Sequence, residues 1–169
     1  FIVYMPTWLE EARGASAIDV AFMFLLGGLA QGVASPLVGR LSDRVGRKSL
    51  IVLGSFGVGI FFATTPAVPK LWMFWVFFPI TMILVAARIT PLQALLSALT
   101  GPEHRGSLMS LNMSTSQLGF GLGSAVAGVA WTYGFHVNAW ISGSAATLAA
   151  AIVLFFVPEP PSESAVAIS

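Results

Sequence analysis

The sequence predicts an all-α fold, a polytopic bundle of transmembrane helices, and three observations carry that prediction. Of the 169 residues 56% are hydrophobic and 9% are charged, whereas an ordinary soluble domain carries roughly 25% charged residues. Apolar stretches of about the length that crosses a bilayer recur along the chain, divided by short segments that hold most of the charge. The basic residues concentrate in alternate loops, as they do when a chain threads a membrane back and forth. A soluble fold of this size needs a charged surface that this chain could not supply, so the expected solvent is a lipid bilayer. The formal net charge of +1 gives no strong field for nucleic acid. The absence of cysteine excludes disulfides and thiolate metal sites.

Residues 1–157 read as one six-helix unit. The first apolar segment, 1–9, would be only about 13 Å long as a helix, against a hydrocarbon core of roughly 30 Å. It is therefore expected to be the outer end of a partial span, and the chain to be a fragment. Five fuller spans are expected at 18–38, 50–65, 71–99, 107–131 and 139–157. Pro66 and Pro69 separate the third from the fourth. The run from Thr100 to Glu103, with Pro102, reads as a capping box that opens the fifth. Residues 158–169, with three prolines and two glutamates, read as a disordered tail.

Arg40, Arg44, Arg47 and Lys48 lie between the second and third spans, and Arg105 between the fourth and fifth on the same side. The opposite loops hold Arg13 and Lys70. The first group is expected to be cytoplasmic, which puts the C-terminus in the cytoplasm of an integral protein of the cell membrane. No phosphate-binding glycine loop, zinc-ligand spacing or nucleophile elbow occurs. His104 and His136 stand apart on opposite sides and read as ordinary loop histidines. No metal, cofactor or catalytic group is expected.

The most specific stretch is residues 39–48, where Gly39, Leu41, Asp43, Arg44, Gly46, Arg47 and Lys48 are the strongly typed positions. Gly39 and Gly46 would permit a tight reversal between helices. Asp43 among four basic residues can pair locally or approach a helix N-terminus. A generic positive-inside loop would need the bases but not the glycines or the aspartate. The pattern resembles the cytoplasmic signature of the major facilitator superfamily, which joins the second and third helices of each six-helix half. The resemblance implies a conformational latch that holds the outward-facing state against the other half. It extends over the chain. Residues 102–128 look like the family's loop and fifth helix, and the glycine run from Gln117 to Gly128 is similar to its efflux-associated motif. Ser124 stands where proline is usual and Ala127 where glycine is usual. For Gly119, Gly123 and Gly128, helix packing is the favoured role. In the fourth span Leu84 and Arg88 match the spacing of an N-terminal-half motif, but Pro91 and Leu92 replace its glutamine and glycine. That departure, together with the partial first span and the tail, favours the C-terminal half of a twelve-helix protein.

Polar groups within the spans mark the expected route. Arg88 lies about 18 Å along the helix from Thr100, too deep for easy snorkelling, and reads either as a cavity charge or as a structural arginine held by carbonyls. Gln31, Asn112 and Gln117 complete the substrate-cavity candidates. Ser110, Ser114, Gln117, Gly121 and Ser124 fall on one stripe at helical spacing. The third and sixth spans show no charge or amide, so the second, fourth and fifth are expected to face the cavity and the third and sixth the lipid. The resemblance implies the same division. Trp72 and Trp75 fit an interfacial belt. Glu10, Glu11 and Asp19 lie near the outer surface and no carboxylate sits mid-span, so an acid used for proton coupling would belong to the other half. The resemblance implies a secondary transporter of a small-molecule substrate. It would work by alternating access with an N-terminal six-helix half of the same protein and could be proton-coupled. The alternatives are a complete six-span channel subunit and an integral-membrane enzyme.

Overall fold

In the computed structural model, which describes residues 1–98, 101 and 103–156, the chain is a bundle of six α-helices. They are α1 (Met5–Arg13), α2 (Ala17–Val45), α3 (Arg47–Thr64), α4 (Leu71–Ala98), α5 (Arg105–Trp131) and α6 (Phe135–Phe156), with a single 3-10 turn at Thr65–Ala67. Among the described residues four segments are long and apolar enough to cross a membrane: Ala17–Val45, Arg47–Ala67, Leu71–Ala98 and Phe135–Phe156. α5 is as long, with 27 residues, but the polar run from Asn112 to Gln117 lowers its hydropathy. The expected capping box at Thr100 and Pro102, and the tail at 158–169, lie outside the described residues.

Local chemistry sets the joints. α1 opens with Pro6 in its first turn, where the missing N–H costs nothing. It ends at Gly14, whose φ of 67° is the left-handed cap that glycine favours. Ser16 then caps α2. The Asp19 amide donates to the Ser16 hydroxyl at 3.1 Å, and the Ser16 amide donates to the Asp19 carboxylate at 3.0 Å. α2 and α3 meet at a single residue, Gly46, with φ 99°. Of the two glycines expected to make this reversal, only Gly46 does so. Gly39 is helical, and the last turns of α2 continue to Val45. The 39–48 segment is thus the abutting ends of two helices rather than a loop.

The bundle is built as a row: α2 packs on α4, α4 on α3, and α3 on α6. Glycine sets each crossing. A Cβ at Gly27 would stand 2.6 Å from the Phe78 ring, one at Gly54 2.8 Å from the Arg88 amide nitrogen, and one at Gly59 2.6 Å from the Thr147 hydroxyl. Small residues let helix backbones approach where no water is available to drive association. α3 buries the largest share of its length among the four apolar segments. Most of the segment nevertheless stays unburied, as a lipid-facing third span requires. Its lack of polar side chains reflects two packed faces, while Leu53, Phe56 and Ile60 remain exposed on a third.

At the end of the bundle where α1 and α2 meet, Met5, Leu9, Met23, Phe74, Phe78 and Phe135 form the main core cluster, flanked by Trp8, Trp75 and Trp131. Trp8 stacks on Phe135 at 4.4 Å and Tyr4 on Trp131 at 5.3 Å. This aromatic end lies opposite the end carrying the α2–α3 joint.

Candidate functional site: a cleft walled by four helices

A cleft of about 720 Å³ runs between α3, α4, α5 and α6. α3 supplies Val58 and Phe62, and α4 supplies Val85, Arg88, Leu92 and Gln93. α5 supplies Asn112, Ser116, Gly119 and Gly123, and α6 supplies Ser142, Ala145 and Ala146. Residues 1–3 close its upper end. The Gly54 crossing sets α3 against the backbone of α4 at Ala87 and Arg88, and the Arg88 side chain lines the cleft. Among the described residues its guanidinium has no hydrogen-bond or ion-pair partner.

Two of the four cavity candidates, Arg88 and Asn112, thus share the cleft, and two do not. Gln31 is half-buried on α2, where its backbone carbonyl accepts the Ser35 hydroxyl at 2.8 Å. Gln117 is exposed on a different face of α5. α5 in fact presents three faces. Asn112, Ser116, Gly119, Gly123 and Ala127 look into the cleft. Leu111, Leu118, Leu122 and Val129 form an exposed apolar face. Ser110, Ser114, Gln117 and Gly121, at the i, i+4, i+7 spacing of one helix side, form an exposed polar face. The expected stripe therefore holds from Ser110 to Gly121, whereas Ser124 turns toward the cleft.

The 39–48 segment is tied to α4. Arg47 donates to the Asp43 carboxylate at 3.4 Å and to the Ala94 carbonyl at 3.4 Å. Ser42, which the sequence did not single out, is buried beneath the joint and donates to the Gly39 carbonyl at 2.7 Å. Leu41, Asp43 and Arg44 are exposed, and Lys48 is half-buried. Of the packing glycines, Gly128 meets the Tyr4 hydroxyl 2.9 Å from where a Cβ would stand, while Gly119 and Gly123 meet nothing within 4 Å.

Two further polar anchors escaped sequence reasoning. Asn138 is buried in α6 and donates to the Ala127 carbonyl of α5 at 3.5 Å. It was missed because α6 begins at Phe135 rather than at 139, and the signal lay in Gly134, whose φ of 105° ends the turn. Arg13 donates to the carbonyls of Val68 and Pro66, at 3.1 Å each, with its guanidinium 4.8 Å from the Trp8 ring. Among the described residues no cluster of metal-ligating side chains occurs, and the carboxylates lie near helix ends rather than in the cleft.

Long apolar helices, glycine-set crossings and an aromatic collar define an all-helical integral membrane protein. The chain belongs to the Major Facilitator Superfamily, whose family model matches residues 1–168. It is similar to the Multidrug resistance protein MdtH of Edwardsiella ictaluri, 28% identical over 148 residues covering 88% of this chain and 37% of that protein. It is also similar to uncharacterized MFS-type transporters of Methanocaldococcus jannaschii, 31% identical over 154 residues (90% of this chain, 40% of that protein), and of Sinorhizobium fredii, 30% identical over 149 residues (86% and 36%). The chain therefore spans well under half the length of these relatives. No solved structure gives a significant match.

Proposed function

We propose that the intact protein is a secondary transporter that moves a small solute by alternating access, with this bundle forming one wall of the route. The observation that carries the reading is the open polar face of α5. Ser110, Ser114 and Gln117 are exposed along one side of a helix of bilayer length, and a polar amide facing hydrocarbon is costly. Such a face belongs against water or a second polar wall, and its position on a helix held loosely by its neighbours fits a surface that rocks against another body. Gln31 on α2 is the matching candidate. Arg88 and Asn112 stand on the cleft side, where a fixed cation in a low-dielectric surrounding sets the local field without touching the solute. The direction is export of amphipathic compounds, a reading supported by the relatives named for multidrug resistance. Coupling to protons would use a carboxylate outside the described residues.

The test is flux. The full-length protein in liposomes should extrude amphipathic dyes saturably, and extrusion should stop when an imposed proton gradient is collapsed. Flux that is downhill only and does not saturate would indicate a channel instead.

A further inference from the structure

We propose that a groove on the outer flank of α3 and α6 holds one acyl chain of a phospholipid of net negative charge, its phosphate lying at the end of the bundle that carries Lys70. The inference rests on the membrane-embedded reading and not on transport. The groove encloses about 570 Å³ and is lined by Gly59, Ile60 and Ala63 of α3 and by one side of α6 from Trp140 to Ala151. It is separate from the cleft described above, since no residue lines both. It exists because α3 and α6 cross in backbone contact. A Cβ at Gly143 would stand 2.8 Å from the Gly59 carbonyl oxygen, so the crossing carries no side chain to fill its flank. Ile60, Trp140 and Leu148 stand exposed at the edge.

The lining offers nothing to water or to a polar solute. Both of its hydroxyls are already used: Ser144 donates to the Trp140 carbonyl at 2.8 Å and Thr147 to the Gly143 carbonyl at 2.9 Å. No charged group lines it. An apolar space of this kind stays dry, and within a bilayer hydrocarbon fills it. The length of the groove is that of one leaflet. From Trp140 to Ala151 is about 17 Å at roughly 1.5 Å per residue, against roughly 15 Å for half of the hydrocarbon core. A partner's membrane helix would need a track about twice as long. The depth also fits. Trp140 lies five residues into α6, which starts at Phe135, or about 8 Å along the helix, where an indole sits in an interfacial belt.

Charge selects the headgroup. The 3-10 turn Thr65–Ala67 packs on α6 and leads to the exposed Lys70. Arg13 is held at the same turn by the carbonyls of Pro66 and Val68. Residues 59–70 and 135–151, which form the groove and its mouth, contain no acid. The acids of this end, Glu10, Glu11 and Asp19, lie on α1 and α2, neither of which lines the groove. The mouth is thus complementary to an anionic phosphate group.

The test uses the full-length protein in phosphatidylcholine vesicles that contain a phosphatidylglycerol with a photoactivatable diazirine midway along one acyl chain. Adducts mapped by mass spectrometry are expected within 59–63 and 140–151. Ser144→Phe sets a ring into the groove from an exposed position and should abolish those adducts. Ala151→Phe is the second variant should the first misfold. Leu53→Phe, on the exposed face of α3 outside the groove, should leave them unchanged. Lys70→Gln should weaken phosphatidylglycerol binding about fivefold, the effect of one base at an anionic lipid surface, without altering that of a diazirine phosphatidylcholine. Adducts spread evenly over the exposed apolar residues and insensitive to Ser144→Phe would overturn the proposal. So would disulfide-linked dimers of Ser144→Cys, which would assign the groove to a second copy of the protein. Equal labelling by the two lipids would overturn the headgroup assignment. Loss of dye flux with the adducts intact would remove the transport reading and leave this one standing.

Discussion

Arg13 and Arg88 show what a guanidinium does at two depths of the same bundle. Arg13 satisfies two carbonyls that end the 3-10 turn and lies over Trp8, so it staples the α1–α2 turn to the α3–α4 turn. Charge-assisted hydrogen bonds contribute roughly 1.5–3 kcal/mol each, and partial exposure reduces this. Arg13→Gln should therefore lower the melting temperature of the detergent-solubilised protein while leaving turnover per folded molecule intact; an unchanged melting temperature would show the staple to be inert. Arg88 has no such partners among the described residues. Arg88→Gln should reduce transport per folded molecule by about tenfold through loss of the fixed charge in the cleft, and Arg88→Lys, which keeps that charge, should lie closer to normal. Near-normal specific activity for Arg88→Gln would make Arg88 purely structural.

At the scale of the element, glycine decides more than any polar residue. Gly54 lies against the α4 backbone at Ala87 and Arg88, where neither partner can yield as a side-chain tip could. Gly54→Ala is expected to destabilise by about 1–3 kcal/mol through overpacking, seen as lower yield of folded protein. Gly46, at φ 99°, is a backbone position that costs a residue with a Cβ about 1–3 kcal/mol. The adjoining Asp43–Arg47 pair is a different matter. Its geometry is an exposed i, i+4 contact at 3.4 Å, worth little to stability, so Asp43→Asn should leave expression near normal. If the 39–48 segment works as a latch, turnover of the full-length protein should still fall; unchanged kinetics would restrict the segment to setting topology.

The same elements show where sequence reading works and where it stops. Helix number, order and the polar face of α5 were legible because hydropathy and a 3.6-residue period leave marks along a single chain. The reversal at residues 39–48 was legible from its glycines, but not that Gly46 alone makes it while Gly39 stays helical. Pairing was not legible. Gly27, Gly54 and Gly59 look like any other glycines until the row α2–α4–α3–α6 brings them to crossings. Gln117 and Asn112 were grouped as one site, although they lie on different faces of α5 and only the arrangement of α4 and α6 decides which face closes a cleft.

For the whole molecule, α5 carries the central claim: one face toward lipid, one toward a cleft and one toward a water-filled route. The most direct measurement is single-cysteine modification of the full-length, otherwise cysteine-free protein in sealed vesicles, using a membrane-impermeant thiol reagent at Gln117→Cys and, for comparison, at Leu118→Cys on the apolar face. Gln117→Cys is expected to react at least about tenfold faster, since only a hydrated thiol ionises and meets the reagent, and to be protected by a transported dye. Equal and slow modification at both positions would place the polar face of α5 in lipid or in a sealed interface and would contradict the account.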